Sequence, residues 1–349
     1  MNWFQASEIE QIRNLSSDMD RTGILHEAAL HIIYQQKLFK LFVPERYNGR
    51  FTALPEALRI FEQASWIDGN FGWAVTIGSG GGYFVSSFPP DVSEAVFSPK
   101  SALIAGSGNA TGTAIRVDGG YRLSGTWGYC SGAPHATTFT ATALVDEGPE
   151  VLAFVLEPDQ VEIITDWHSF GLRATGSHSI AAHDVFIPQE RAFRVGNSEY
   201  DASPIYTYPF MAFAVASFAA VCLGIGRHFL DESAQLVEAN QARWDRTNPA
   251  RAKFVSERIA EGKALLDRHS HQFYHAVERS WSNHAEGGAD EANTEEVVRH
   301  GRAAAAAVLQ SAQAIFPHLG MAALMEHQTI NRVWRDLHTA AQHASLKEY

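Results

Sequence analysis

Residues 113–132 read TAIRVDGGYRLSGTWGYCSG, and the fold is decided by how this stretch is divided. Asp118-Gly119-Gly120 stands between TAIRV and YRLSG, and an Asp-Gly pair between two such runs predicts a tight β-hairpin. The hairpin lies in a wider region, from about Ser101 to Arg194, where short apolar runs alternate with turn signals. ATALV, VLAFVLE, VEIIT and HDVFIP are its further strand candidates. On both sides the period becomes helical. From Ser7 to about Phe88 apolar residues recur as Ile9, Ile12 and Leu15, then Leu30, Ile33, Leu38, Leu41 and Phe42. Pro44 and Asn48-Gly49 interrupt that lobe, Pro55 opens a segment in which Leu58, Phe61 and Ala64 share a face, and Pro89-Pro90 is expected to close it. From about Pro209 onward the pattern is helical again, with Ala-rich runs such as RAAAAAVLQSAQAIF. The expected plan is α+β in three parts: an N-terminal helical domain (1–100), a central β domain (101–200) and a C-terminal helical bundle (201–349). The acidic stretch AEGGADEANTEE (285–296) reads as a solvated helix–helix connection.

Composition narrows the function. With 349 residues, 46% hydrophobic and 19% charged, the chain can bury a sizeable core, which excludes a disordered protein. A formal charge of −12 disfavours a nucleic-acid partner. Only Cys130 and Cys222 occur, without a CxxC pair, which fits a reducing, cytoplasmic setting. The N-terminus has no basic segment followed by an apolar one. The most apolar run, Phe210 to Ile225, contains Ser217, Cys222 and Gly224, so no membrane span is expected.

Several motifs invite chemistry and are better explained by packing. Gly78-Ser79-Gly80-Gly81-Gly82 and Gly106-Ser107-Gly108 lack the lysine and the strand–turn–helix context of phosphate loops, so the first is expected to allow close helix packing or pocket space. His271 and His275 share a helical face but have no evident third ligand. His26 and His31 stand five apart, about 140° around a helix, and miss the HExxH zinc pattern. No metal is expected. No GxSxG elbow occurs, and Cys130 has only His135 nearby. Two segments are richer. In the first, Trp127, Tyr129 and Ser131 could cover and hydrogen-bond a flat heterocycle, or supply core aromatics of the β domain. In the second, Arg332 to His343 packs two Arg, one Asp and two His into probable helix, which an Arg332–Asp336 pair at i,i+4 would equally explain.

With PERYNG (44–49), GGYRLSGTWGYCSG (119–132), GLRATGSHSIAAHDVFIP (171–188) and WRDLHTAAQHASL (334–346), the chain resembles the acyl-CoA dehydrogenase superfamily over nearly its whole length. Within it the last motif is most similar to the group D two-component flavin-dependent monooxygenases. The resemblance implies an acyl-CoA-dehydrogenase-like fold with a β-barrel-like central domain, assembled as a homotetramer. It also implies reduced FMN or FAD from a separate reductase, and oxygen transfer through a C4a-hydroperoxide to a small aromatic or heteroaromatic substrate in an enclosed pocket. Carried over by residue, Trp127, Tyr129, Ser131 and Gly132 match the flavin-edge motif, with Ser131 near N5. His343 matches a C-terminal His facing flavin and substrate, and His338 belongs to the same neighbourhood. Arg243 matches a cationic position that meets the flavin phosphate, often from a neighbouring subunit. Tyr83 and Asn109 fall to the substrate pocket.

Three features depart from the pattern. GSGGGYF stands where many relatives carry an N-terminal His, so Tyr83 would supply the polar contact, or the substrate differs, or hydroxylation is lost. Arg335-Asp336 leads into LHTAAQH, where true dehydrogenases have a Glu-Gly-Thr run, which argues against thioester dehydrogenation. The chain also stops at Tyr349, shortly after HASL, so a terminal pocket or tetramer contact is expected to be absent. The alternatives are a dehydrogenase- or oxidase-like FAD flavoprotein with a displaced base, and a non-catalytic ligand-binding member of the fold.

Overall fold

The structure is a computed structural model that describes residues 2–288 and 291–348. Its N-terminal lobe contains α1 (Ala6–Thr22), α2 (Glu27–Gln35), α3 (Leu54–Ile67), α4 (Gly69–Gly81) and α5 (Pro90–Phe97). Each start has a local cause. Gln5 and Glu8 form a capping box on α1, and the His26 imidazole accepts the Ala28 N–H at the head of α2, so this histidine caps a helix. Pro55 sits in the first turn of α3, and the Asp68 carboxylate accepts the Phe71 N–H at 3.0 Å at the head of α4. Pro89-Pro90 starts α5, the last helix before the sheet, because a proline in the first turn forfeits no helical hydrogen bond.

The middle of the chain forms one seven-stranded sheet. Its strands are β1 (Ile104–Val117), β2 (Gly120–Cys130), β3 (Thr138–Val145), β4 (Val151–Leu156), β5 (Glu162–Ile164), β6 (His178–Pro188) and β7 (Ala192–Phe193). They are ordered β5-β6-β2-β1-β3-β4-β7. β1 and β2 pair antiparallel through the two-residue turn Asp118-Gly119, where Gly119 takes φ +75°. β1 and β3 run parallel, and the remaining pairs are antiparallel. The β2–β6 ladder slips between Trp127 and Cys130. At this bulge Tyr129 adopts φ +64° and turns its ring outward, 71% exposed, while Trp127 and Cys130 stay inside with Leu123, Phe139, Phe154 and Ile180 in a core of their own.

A second core joins the N-terminal lobe to α6 (Pro204–Thr207), α7 (Phe210–Thr247), α8 (Pro249–Ala285), α9 (Glu291–Ile315) and α10 (Thr329–Ala340). α7 is long and apolar enough to cross a membrane, but 78% of its most apolar window is buried inside the protein. It is the central core helix, packed on α3, α8, α9 and α10. Of the acidic stretch 285–296, only 286–290 separate α8 from α9; residues 291–296 are already the first turns of α9. Residues 289 and 290 within it, and Tyr349 at the chain end, lie outside the described residues.

Candidate active site

Where α4, the sheet and α7 meet, a cavity of about 600 Å³ opens. α4 contributes Thr76, Ile77, Gly80 and Gly81, the strands contribute Ile104, Ser107, Thr140 and Thr142, and α7 contributes Phe210, Phe213, Ser217 and Phe218. The glycine run therefore serves both expected purposes. Gly78 lets Phe39 approach, since a Cβ there would come within 2.2 Å of its ring, whereas a Cβ on Gly80 meets nothing within 4 Å. Arg194 is the only charged residue among those lining the cavity, and Glu150 pairs with it. Three of the cavity's hydroxyls are already committed as donors: Thr76 to Gly72 O at 2.8 Å, Thr142 to Ser107 O at 3.1 Å, and Ser217 to Phe213 O at 2.8 Å. Toward the cavity these groups can only accept.

Ser131 is buried at the end of β2, beside this cavity's wall. Its Oγ accepts the Trp73 Nε1–H at 3.0 Å and lies 2.7 Å from Ser177 Oγ. Gly132, at φ +83°, donates its N–H to Thr175 O at 2.8 Å, which fixes the turn that follows. Trp73 also leans on Phe218 with ring centroids 5.2 Å apart, and His343 stacks on the same Phe218 ring at 3.6 Å. The structure therefore brings Ser131 and His343 to one cluster, with Trp73 between them. No motif flagged Trp73. The His343 Nδ1 accepts the Ser345 N–H at 3.3 Å, which puts the proton on Nε2, and burial pushes the imidazole down to about 4, so it is neutral at physiological pH.

The Arg-Asp motif of α10 acts at a distance from the cavity. Arg335 makes a buried two-pronged ion pair with Asp20 of α1, at 3.0 and 2.5 Å, and donates to Phe170 O at 2.9 Å. Asp336 accepts the Leu172 N–H at 2.6 Å, and Asn70 of α4 accepts the Ala174 N–H at 2.8 Å. Together they clamp the segment that leads to Ser177. Burial, with Asp68 close by, raises the Asp336 carboxyl to about 7. The expected local Arg332–Asp336 pair does not form: Arg332 faces Asp68, at 3.8 Å, because the buried carboxylate capping α4 is the nearer charge.

Other expected site residues lie elsewhere. Trp127 is fully buried in the β-domain core and donates to Thr142 O at 2.7 Å, so the core-aromatic reading holds for it and a flavin-covering role does not. Tyr83 donates to Tyr208 O at 2.7 Å and stacks on Phe213 behind the cavity wall, with burial pushing its phenol up to about 12. Asn109 is exposed on β1; its neighbours Ser107 and Gly108 line the cavity in its place. His338 covers Trp334 at 4.0 Å and donates Nδ1–H to Trp334 O at 2.9 Å. Arg243 is exposed on α7. Tyr129 is exposed and meets Trp167 edge to face at 6.3 Å, leaving a flat aromatic surface beside Ser131. His271 and His275 stack on each other, and no metal-binding group of three side chains occurs among the described residues.

Residues 216–348 match the family described as acyl-CoA dehydrogenase, C-terminal domain. Among solved structures, the 3-HSA hydroxylase from Rhodococcus sp. RHA1 superposes with a TM-score of 0.88 at 22% identity, covering 98% of this chain and 91% of that one. XiaF from Streptomyces sp., solved with FADH2 and glycerol, gives a TM-score of 0.82 at 23% identity, covering 98% and 91%. The family match covers the C-terminal part of the chain, and the solved structures share the acyl-CoA-dehydrogenase-like fold over nearly its whole length. In sequence the similarity runs to oxygenase components of flavin-dependent monooxygenases: the oxygenase subunit HsaA of Mycobacterium tuberculosis is 25% identical over 360 residues, 97% of this chain and 89% of that one. These relatives are flavin-dependent oxidoreductases by name.

Proposed function

We propose that this protein is the oxygenase component of a two-component monooxygenase, which hydroxylates a small aromatic or heteroaromatic molecule with reduced flavin delivered by a separate reductase. The observation that carries the reading is the meeting of Ser131, Trp73 and His343 beside an apolar cavity with no carboxylate among its lining residues. Reduced FMN or FAD supplies the two electrons by which one oxygen atom of O2 enters the substrate and the other leaves as water. The residues at hand suit that group. Ser131 keeps hydrogen-bonding capacity beyond its protein contacts, and the exposed Tyr129 ring offers a face that folding alone does not require. Arg243 would reach the flavin phosphate of a neighbouring protomer in a homotetramer.

Phe210, Phe213 and Phe218 give the cavity an apolar wall that would limit water beside the reacting atoms. Thr76, Thr142 and Ser217 accept hydrogen bonds from a substrate that carries O–H or N–H donors, as phenols, anilines and indoles do. His343, neutral with its proton on Nε2, would be a hydrogen-bond donor available to the bound group. The dehydrogenase alternative needs a strong base against a thioester α-carbon, and the lining offers none. The protein is read as soluble and cytoplasmic.

The test is an anaerobic titration with reduced and oxidised FMN and FAD, followed by an oxygen pulse in the presence of phenol, aniline or indole. Preferential binding of reduced flavin and a hydroxylated product are expected. Tight binding of oxidised FAD with no hydroxylation of any of the three would defeat the oxygenase reading.

A further inference from the structure

Ser131 is the first of three buried hydroxyls whose protons are all assigned by their neighbours. The Trp73 indole N–H can only donate, and it donates to Ser131 Oγ at 3.0 Å. At the far end the Leu172 carbonyl can only accept, and it takes the Thr175 hydroxyl at 2.8 Å. Between these ends stand Ser131···Ser177 and Ser177···Thr175, both 2.7 Å. Thr175 has given its proton to Leu172, so Ser177 must donate to Thr175, and Ser131 must then donate to Ser177. Three protons fill three gaps, and the direction is fixed. The end of the chain is itself held, since Leu172 donates its N–H to Asp336 at 2.6 Å and its carbonyl also takes the Trp167 Nε1–H at 2.9 Å. Ser131 retains one lone pair and no proton for a ligand.

We propose that this directed relay, Trp73 to Ser131 to Ser177 to Thr175 to the Leu172 carbonyl, makes Ser131 a pure hydrogen-bond acceptor toward the flavin and so selects the reduced form. The inference rests on the oxygenase reading above. Reduced flavin carries a hydrogen on N5, which an acceptor satisfies; oxidised flavin presents a bare N5, which meets a lone pair and is repelled. Ser177 and Thr175 are positioning residues. They touch no ligand and act through the orientation of the Ser131 proton.

The experiment is anaerobic measurement of dissociation constants for reduced and oxidised FMN and FAD with the wild type, Ser177→Ala, Thr175→Val and Trp73→Phe, each checked by thermal melting. Ser177→Ala leaves the Ser131 proton without an acceptor. Thr175→Val frees Ser177 to donate back to Ser131. In both, Ser131 turns its proton to the ligand, and the preference for reduced flavin is expected to fall by about three- to tenfold, the worth of one hydrogen bond, with oxidised flavin binding more tightly. Trp73→Phe removes a donor and leaves the proton direction intact, so the preference should stay within about twofold of wild type. A relay that merely stabilises the fold would weaken both flavin forms together. An unchanged preference in Ser177→Ala and Thr175→Val therefore overturns the proposal and leaves the oxygenase reading standing. Failure of the wild type to bind either form of flavin overturns both.

Discussion

Replacing Asp20 by asparagine removes the counter-charge of Arg335 while keeping its shape and one acceptor. Both side chains are almost fully buried, at 9% and 4% exposure, so water cannot take the carboxylate's place. Arg335 keeps its bonds to Asn331 Oδ1 and Phe170 O, but its charge is left unpaired. Breaking one side of such a pair costs about 3–5 kcal/mol. At about 2.1 cal/mol/K per residue the 349-residue chain has an unfolding entropy of about 0.7 kcal/mol/K, so the melting temperature should drop by about 4–7 °C. Differential scanning calorimetry at neutral pH reads this directly. The double variant Asp20→Leu/Arg335→Met, which buries apolar groups of similar length, should recover most of the loss, because a buried pair is costly to break yet replaceable as a unit. A fall of less than about 1 °C in Asp20→Asn would refute the reasoning, since it would mean that solvent already screens the pair.

Three further expectations concern the site. His343→Gln should leave flavin affinity within about twofold and divert oxygen from product to free hydrogen peroxide, measured as product formed per oxygen consumed; unchanged coupling on a turned-over substrate would remove His343 from the chemistry. The same variant tests the pH sign. With the folded imidazole at about 4 and the ordinary value at 6.5, the unfolded chain binds a proton that the fold refuses, so wild type should lose stability relative to His343→Gln as pH falls from 6.5 toward 4. Asp336 works the other way over much of the same range. Its carboxyl is held protonated up to about 7 against an ordinary 3.8, so wild type should lose stability relative to Asp336→Asn as pH rises through that window, and parallel melting curves against pH would contradict the assignment. Gly80→Ala should be tolerated or stabilise by up to about 1 kcal/mol, because helix propensity improves and its Cβ meets nothing within 4 Å. Gly80→Phe should keep the melting temperature and abolish hydroxylation by filling the cavity; full activity in Gly80→Phe would place the substrate elsewhere.

The parts of the fold that were legible in the sequence are those with local causes. Asp118-Gly119 forces its hairpin whatever surrounds it, and the helical period of Ile9, Ile12 and Leu15 reflects one buried face of α1. Short segments were enough to flag Ser131, Gly132 and His343, and the fold places Ser131 and His343 in one cluster around Trp73 and Phe218. The pattern failed where a period was interrupted. Strict strand alternation puts Trp127 and Tyr129 on the same face, but the bulge sends one into the β core and the other into solvent, and nothing in a tyrosine announces a positive φ. Trp73 was invisible for the opposite reason. α4 is buried on nearly all sides, so its sequence has no apolar stripe to say which residue faces the cavity.

The Arg-Asp motif shows the same competition between local and distant partners. A helix read alone offers Arg332 to Asp336 one turn away, worth a few tenths of a kcal/mol on a surface. In the fold all these groups are buried, and desolvation rewards whichever arrangement satisfies every charge. Arg332 turns to Asp68, Arg335 to an aspartate 315 residues away, and Asp336 to the Leu172 N–H. The last of these bonds holds the loop that ends the Ser131 relay. Beyond the C-terminal end of α10, His343 stacks on Phe218, while α10 itself grips the backbone that leads to Ser177. A motif that looks like catalytic chemistry in sequence is here the means by which three distant segments are held in register, and on the proposed reading the chemistry falls to side chains whose orientation that register decides.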